Sequence, residues 1–163
     1  MPAATRLSKL MSKVDKLPRP LRTRARSLLL GRVVKFVGTA RLDVEELTGE
    51  RATIAIRNRK LVQNHIGSVH AAAMALLAET ATGFVVGMNL PDDRVPVIKT
   101  LKVDYLKRAK GNLRAVAELS AEQIATIQAT EKGTVHVKVV VTDEAGIEPI
   151  AVEAIWAWTP KRR

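Results

Sequence analysis

The sequence predicts an α+β fold in which one antiparallel sheet of about six strands wraps a single long central helix. Two observations carry that expectation. Lys60 to Leu90 reads KLVQNHIGSVHAAAMALLAETATGFVVGMNL, a polar lead-in followed by a stretch, Ala71 to Leu90, in which Glu79 is the only ionisable side chain. A helix apolar all round is a buried one. Around it lie six segments whose apolar residues alternate at period two, and a sheet with one buried face is the only partner in the chain large enough to cover that helix.

The chain of 163 residues, 47% of them hydrophobic, is long enough for one well-buried core, and no second domain is expected. It contains no cysteine, which excludes disulfides, thiol catalysis and cysteine-ligated metal. The reading is of an ordinary cytoplasmic protein; the opening residues lack the continuous apolar run of a secretory leader. Three histidines, His65, His70 and His136, offer little for a metal site, and the five-residue step from His65 to His70 does not stack two imidazoles on one helical face. No metal and no separate cofactor are expected.

The net charge of +11 is unevenly placed. Residues 1–42 hold eleven Lys or Arg against the single acid Asp15, whereas the rest carries sixteen basic and fifteen acidic residues. Residues 1–38 therefore read as a basic helical arm and residues 39–163 as one nearly neutral domain. A nucleic-acid-binding core would carry its basic patch on the folded surface, so no nucleic-acid partner is expected. Within the arm a helix is predicted from Leu21 to Leu30, after Pro18 and Pro20, with Leu21, Ala25, Leu28 and Leu29 on an apolar side and Arg22, Arg24 and Arg26 wet. Docking on the domain is the expected role; such helices also suit an anionic membrane surface or a phosphate-bearing ligand.

Leu42 and Val44, then Ala52, Ile54 and Ile56, alternate with polar residues around a turn at Thr48, Gly49 and Glu50, which predicts a hairpin. The long helix is predicted from about Ser68, as N-cap, to about Met88, with Pro91 closing it. Gly83 and Gly87 indicate close packing or fraying near its end. Four strands follow. Val97, Leu101, Val103 and Tyr105 are read on one face of the first, Leu113 to Leu119 form the second, Val135 to Val141 the third and Ile150 to Trp158 the fourth, with a short helix expected in 121–132. Trp156 and Trp158 suit either the core or an assembly face.

Glu79 is the first candidate for chemistry, because a carboxylate taken out of water needs a partner, a hydrogen bond or a shifted pKa. A structural ion pair with a Lys or Arg of a neighbouring strand explains the same residue equally well.

The run Asn64, His65, Ile66, Gly67, Ser68, Val69, His70, Ala71, Ala72, with Leu77, Ala78, Glu79, Thr80 and Ala81 downstream, resembles the hotdog-fold acyl-CoA thioesterases of the phenylacetate-pathway type, over about residues 39–160. In those enzymes an Asn precedes the helix, a His-Gly-Gly opens it and an acid follows a Leu-Ala pair; Asn64, His70 and Glu79 fall at the matching places. The chain departs from the pattern in Ala71 and Ala72, where the family has Gly-Gly, and in Ile98, where some members carry a polar residue whose role would pass to Lys99 or Thr100. The resemblance implies hydrolysis of an acyl-CoA thioester at a site between two subunits, with coenzyme A present as part of the substrate. Glu79 would be general base or nucleophile, Asn64 would orient water or carbonyl, and amides near Gly67 and Ser68 would hold the oxyanion. His65 or His70 would contact substrate or order the loop, and Lys99, Thr100, Lys107, Arg108 and Lys110 would meet the phosphates of coenzyme A.

At about 1.5 Å per helical residue, Glu79 is expected roughly 16 Å along the axis from Ser68, so one chain does not complete such a site. A two-fold homodimer with the long helices antiparallel supplies it, and a tetramer is compatible. The rival readings are a hotdog hydratase or dehydratase, a non-catalytic acyl or acyl-CoA binding module, and a membrane or nucleic-acid adaptor led by the arm.

Overall fold

The computed structural model describes residues 4–161. Six antiparallel strands form one sheet: β1 (Asp43–Leu47), β2 (Arg51–Ile56), β3 (Arg94–Tyr105), β4 (Leu113–Glu118), β5 (Gly133–Asp143) and β6 (Ile150–Pro160). Their spatial order is β1-β2-β4-β5-β6-β3, so β1 and β3 are the two edges. The helices are α1 (Arg6–Val14), α2 (Arg19–Val33), α3 (Lys35–Ala40), α4 (Ala71–Asn89) and α5 (Ala121–Ala129). The sheet curls around α4, which is the hotdog arrangement expected from the sequence.

The reason is apolar pattern meeting curvature. Leu77, Ala78, Ala81, Val85 and Val86 of α4 are fully buried against the inward residues of the strands, among them Ile54, Ile56, Ala115, Ala117, Val137 and Ala154. Burying each large side chain contributes about 1.5–3 kcal/mol. Trp156 and Trp158 belong to this core. Their neighbours explain two glycines: a Cβ on Gly83 would stand 2.7 Å from the Trp156 ring, and one on Gly133 would stand 2.4 Å from that of Trp158.

Four expectations are corrected. The helix cap is His70 rather than Ser68, because residues 64–69 close a turn of their own and Gln63 bridges to Val69, so that α4 begins at Ala71. Helix α4 is not buried all round: Ala72, Leu76, Glu79, Gly83 and Gly87 form a stripe that the sheet leaves open. On β3 the register shifts between Ile98 and Thr100, where Lys99 is an extra residue. This β-bulge turns Val97, 51% exposed, to the face opposite Leu101, Val103 and Tyr105.

The fourth correction concerns the arm. One helix was expected there, and three are present. In α2 the buried residues are Leu30 and Arg26, whereas Leu21 and Leu28 are exposed. Arg26 is drawn inward by two acceptors, the Asp15 carboxylate after α1 and the Glu45 carbonyl of β1. Met11 and Val14 anchor α1, and its cap Thr5 donates a hydrogen bond to the Met88 carbonyl at the end of α4 (3.1 Å). Leu7 of α1 lies against Gly87. The arm thereby covers part of the open stripe of α4.

Candidate active site

Glu79 sits on that stripe in a cleft of about 230 Å³. Thr80, Phe84 and the two glycines line it from α4, Trp156 and Pro96 from the sheet, and Leu7, Val34 and Val37 from the arm. Among the described residues no side chain pairs with the carboxylate, so the structural ion pair that the sequence left open is not made. Burial pushes the Glu79 pKa above the ordinary carboxylate value. A half-buried, unpaired acid at an apolar cleft is suited to holding and releasing one proton.

The second part of the site is the loop before α4. The Asn64 side-chain oxygen accepts from the amides of Ile66 and Ser68 (both 3.1 Å), and the Gly67 amide donates to the Asn64 carbonyl (3.2 Å). Gly67 has φ +75°, a conformation that glycine adopts freely and other residues do not. This turn uses the Gly67 and Ser68 amides internally, and the Asn64 Nδ2 group has no acceptor among the described residues. At the helix start His70, an exposed residue, accepts at Nδ1 from the Ala72 amide (3.0 Å), which places the ring proton of the neutral imidazole on Nε2. The Ala71 amide, at the first position of α4, has no acceptor among the described residues and points along the positive end of the helix dipole.

Several partners of this loop escaped the sequence reading. Asn58 donates from Nδ2 to the Gly67 carbonyl (3.1 Å) and accepts from Gln63 Nε2 (3.1 Å). Tyr105 at the end of β3 donates its hydroxyl proton to the Ala71 carbonyl (2.9 Å). Tyr105 is the only tyrosine in the chain, and that singularity was the one available signal. Of the arm residues of the cleft, Leu7 carried a signal that was passed over, the helical spacing of Leu7, Leu10, Met11 and Val14, whereas Val37 lies in a segment too short to show a period.

Of the basic residues proposed for coenzyme A, Arg108 is engaged with the loop, donating to Ser68 Oγ (3.1 Å) and the Ile66 carbonyl (2.7 Å). Lys107 and Lys110 are exposed on the turn beside it, and Lys99 and Thr100 lie at the bulge of β3. His65 is exposed on the loop. The structure thus brings Asn64, Gly67, Ser68 and Arg108 together, sets His70 at the adjoining helix start beside Phe36 and Ala40 of α3, and keeps Glu79 apart, eight positions on from Ala71 and about 12 Å along the axis. Among the described residues no group of acids and histidines could hold a metal ion.

The fold has counterparts. Residues 22–158 match the family described as "Domain of unknown function (DUF4442)", and the chain belongs to that family. No curated protein matches the sequence. Among solved structures, the Pseudomonas aeruginosa protein PA5026, titled a protein of unknown function and probable thioesterase, is 25% identical, with 89% of this chain and 97% of that one aligned at a TM-score of 0.74. The Haemophilus influenzae thioesterase HI1161 is 12% identical over 80% of this chain and 88% of its own, TM-score 0.64. The Staphylococcus aureus thioesterase SAV0944, in a mutant form, is 15% identical over 77% and 99%, TM-score 0.65. At those identities the last two likenesses carry the fold.

Proposed function

We propose that the protein hydrolyses an acyl-CoA thioester at a site shared by two subunits. The observation that carries this reading is the unpaired Glu79 carboxylate, its pKa raised by burial, facing an apolar cleft. An apolar cavity of about 150 Å³ takes a benzene ring, so the 230 Å³ beside Glu79 suits an aromatic or short to medium acyl group. Glu79 takes a proton from water as the water oxygen adds to the thioester carbonyl carbon. The carbonyl oxygen becomes an oxyanion held by the Ala71 amide at the start of the partner's α4. The carbonyl re-forms as the carbon–sulfur bond breaks, and the thiolate takes the proton back from Glu79, giving free acid and coenzyme A.

The separation of about 12 Å between Ala71 and Glu79 within one chain is what calls for the second subunit. A two-fold axis that sets the α4 helices antiparallel brings the acid of one chain to the helix start of the other. An apolar edge favours such an assembly: on β3 and just after it, Val95, Val97, Leu101, Tyr105 and Leu106 are each between 37% and 58% exposed. Asn64 Nδ2 then orients the carbonyl or the water, His70 Nε2 contacts the substrate, and Lys107 and Lys110 attract the carrier's phosphates.

A second reading, an acyl-CoA binding module without turnover, is favoured by one observation: the Gly67 and Ser68 amides are consumed inside their own turn. The two readings separate in one assay. Release of coenzyme A thiol from short, medium, long and aromatic esters is compared for the wild type and Glu79→Gln, and a protein without cysteine adds no background thiol. Hydrolysis predicts turnover that falls by about 10²–10⁴ in the variant. Binding alone predicts no turnover in either and unchanged ester affinity.

A further inference from the structure

Helix α3 separates three clefts. Val37 faces the Glu79 cleft, Phe36 and Ala40 face a smaller one beside His70, and Gly38 and Arg41 face a third of about 660 Å³ formed with α2 and the β1–β2 hairpin. Five arginines line this third cleft, Arg24, Arg32, Arg41, Arg57 and Arg59, against the single acid Asp43. Asp43 is already held by Arg57 at 2.9 Å. Among the described residues no acceptor meets the guanidinium groups of Arg24, Arg32 and Arg41; Arg59 spends one guanidinium nitrogen on the Ala40 and Arg41 carbonyls (3.2 and 2.9 Å), while its Nε is buried without an acceptor.

The backbone keeps this charge concentrated. Gly31 and Gly38 let α2 and α3 cross in direct contact, since a Cβ on Gly38 would stand 2.5 Å from the Gly31 carbonyl oxygen. The crossing folds Arg32 and Arg41 back over the same floor. Arg41 itself closes α3 with φ +52°, a left-handed position that usually falls to glycine or asparagine and costs an arginine about 1–2 kcal/mol. Nothing in the packing requires the guanidinium there; the cleft gains a cation.

We propose that the cleft between α2, α3 and the β1–β2 hairpin binds a nucleotide carrying two or more phosphates. Unpaired guanidinium groups select clustered phosphate oxygens through bidentate, charge-assisted hydrogen bonds. The volume is that of a small-molecule or cofactor site rather than of a single inorganic ion. Leu28, Leu42 and Pro20 supply apolar wall for a base. This site does not depend on the thioesterase reading, although α3 lines both it and the Glu79 cleft.

Binding of ADP and of coenzyme A to the full chain is measured by calorimetry for the wild type, for Arg24→Gln with Arg32→Gln, and for Lys9→Gln with Lys13→Gln, which removes the same charge from α1 outside the cleft. All four side chains are exposed, so equal melting temperatures check that the fold is intact. The expected result is saturable binding that weakens about tenfold or more in the arginine variant and is unchanged in the lysine variant. Coenzyme A binding as tightly as ADP assigns the nucleotide to a thioester carrier, and ADP binding alone assigns it to a free nucleotide; both support the site. The proposal is overturned by no binding of either ligand, by equal weakening in the two variants, or by binding to phosphatidylserine vesicles without binding to either nucleotide.

Discussion

The indole N–H of Trp156 donates to the Thr82 hydroxyl at 2.9 Å, which pins the ring across Gly83 and beside the Glu79 cleft. Glycine in a helix normally costs about 1 kcal/mol relative to alanine, so at an unconstrained site Gly83→Ala would stabilise α4. Here the new methyl meets a buried ring that its hydrogen bond holds in place. Gly83→Ala is expected to lower stability by about 1–3 kcal/mol, the range for an overpacked core, and to shift the Trp156 fluorescence. Denaturant unfolding checks the sign, which a helix-propensity argument gets wrong.

Arg26 was legible only as a basic residue on a basic helix. Its burial, 7% exposed, comes from acceptors supplied by Asp15 and by the Glu45 carbonyl, one on each side of it in sequence. Arg26→Met keeps the length of the side chain and leaves those acceptors without their donor. The expected cost is about 1–3 kcal/mol, discounted from the figure for a fully buried pair because Asp15 is 42% exposed. Adding Asp15→Asn to the same variant should recover part of the loss, and a double-mutant cycle measures it.

The arm is part of the folded unit that contains the cleft. Met11 is 1% exposed on α1, and Met11→Ala is expected to cost about 2–5 kcal/mol, the range for deleting a fully buried large side chain. A loss below about 0.5 kcal/mol in denaturant unfolding would mean that α1 is not packed as described.

Glu79 links stability to pH. Its carboxyl has a higher pKa in the folded protein than in the unfolded chain, so the folded state binds the proton more tightly. The stabilising contribution is complete below the unfolded pKa, about 4.3, and is lost as pH rises through the folded value. Glu79→Gln, which is neutral throughout, should therefore melt higher than the wild type at neutral pH, with the gap closing as pH falls through the raised folded pKa toward the ordinary carboxylate value and no further change below it. Thermal melts of both proteins across that interval test the sign.

Much of the architecture was readable because period and composition are properties of the chain alone. The alternation in residues 42–56, 113–119, 135–141 and 150–158 located five strands, and the unbroken apolar run after Ala71 required a wrapping sheet. The bulge at Lys99 was not readable: a one-residue insertion leaves apolar residues at the expected spacing and reverses only which face they occupy. The cap moved from Ser68 to His70 because Asn64 closes a turn that uses the Ser68 amide, a contact that spacing does not reveal. Glu79 stood out as the one acid in an apolar helix, whereas Leu7, Val34 and Val37 reach its cleft only through the packing of the arm on α4, a tertiary contact that local spacing does not reveal.

Whether the Glu79 carboxylate turns over substrate is decided by kcat/KM against pH for thiol release, with Glu79→Gln measured alongside. A general base works only when ionised, so activity should fall as pH drops through the Glu79 pKa, with the midpoint above the ordinary glutamate value of about 4.3. The variant should lose that limb together with about 10²–10⁴ of the rate. Wild-type activity in Glu79→Gln, or an acid limb at or below the ordinary glutamate value, would show that another group activates the water.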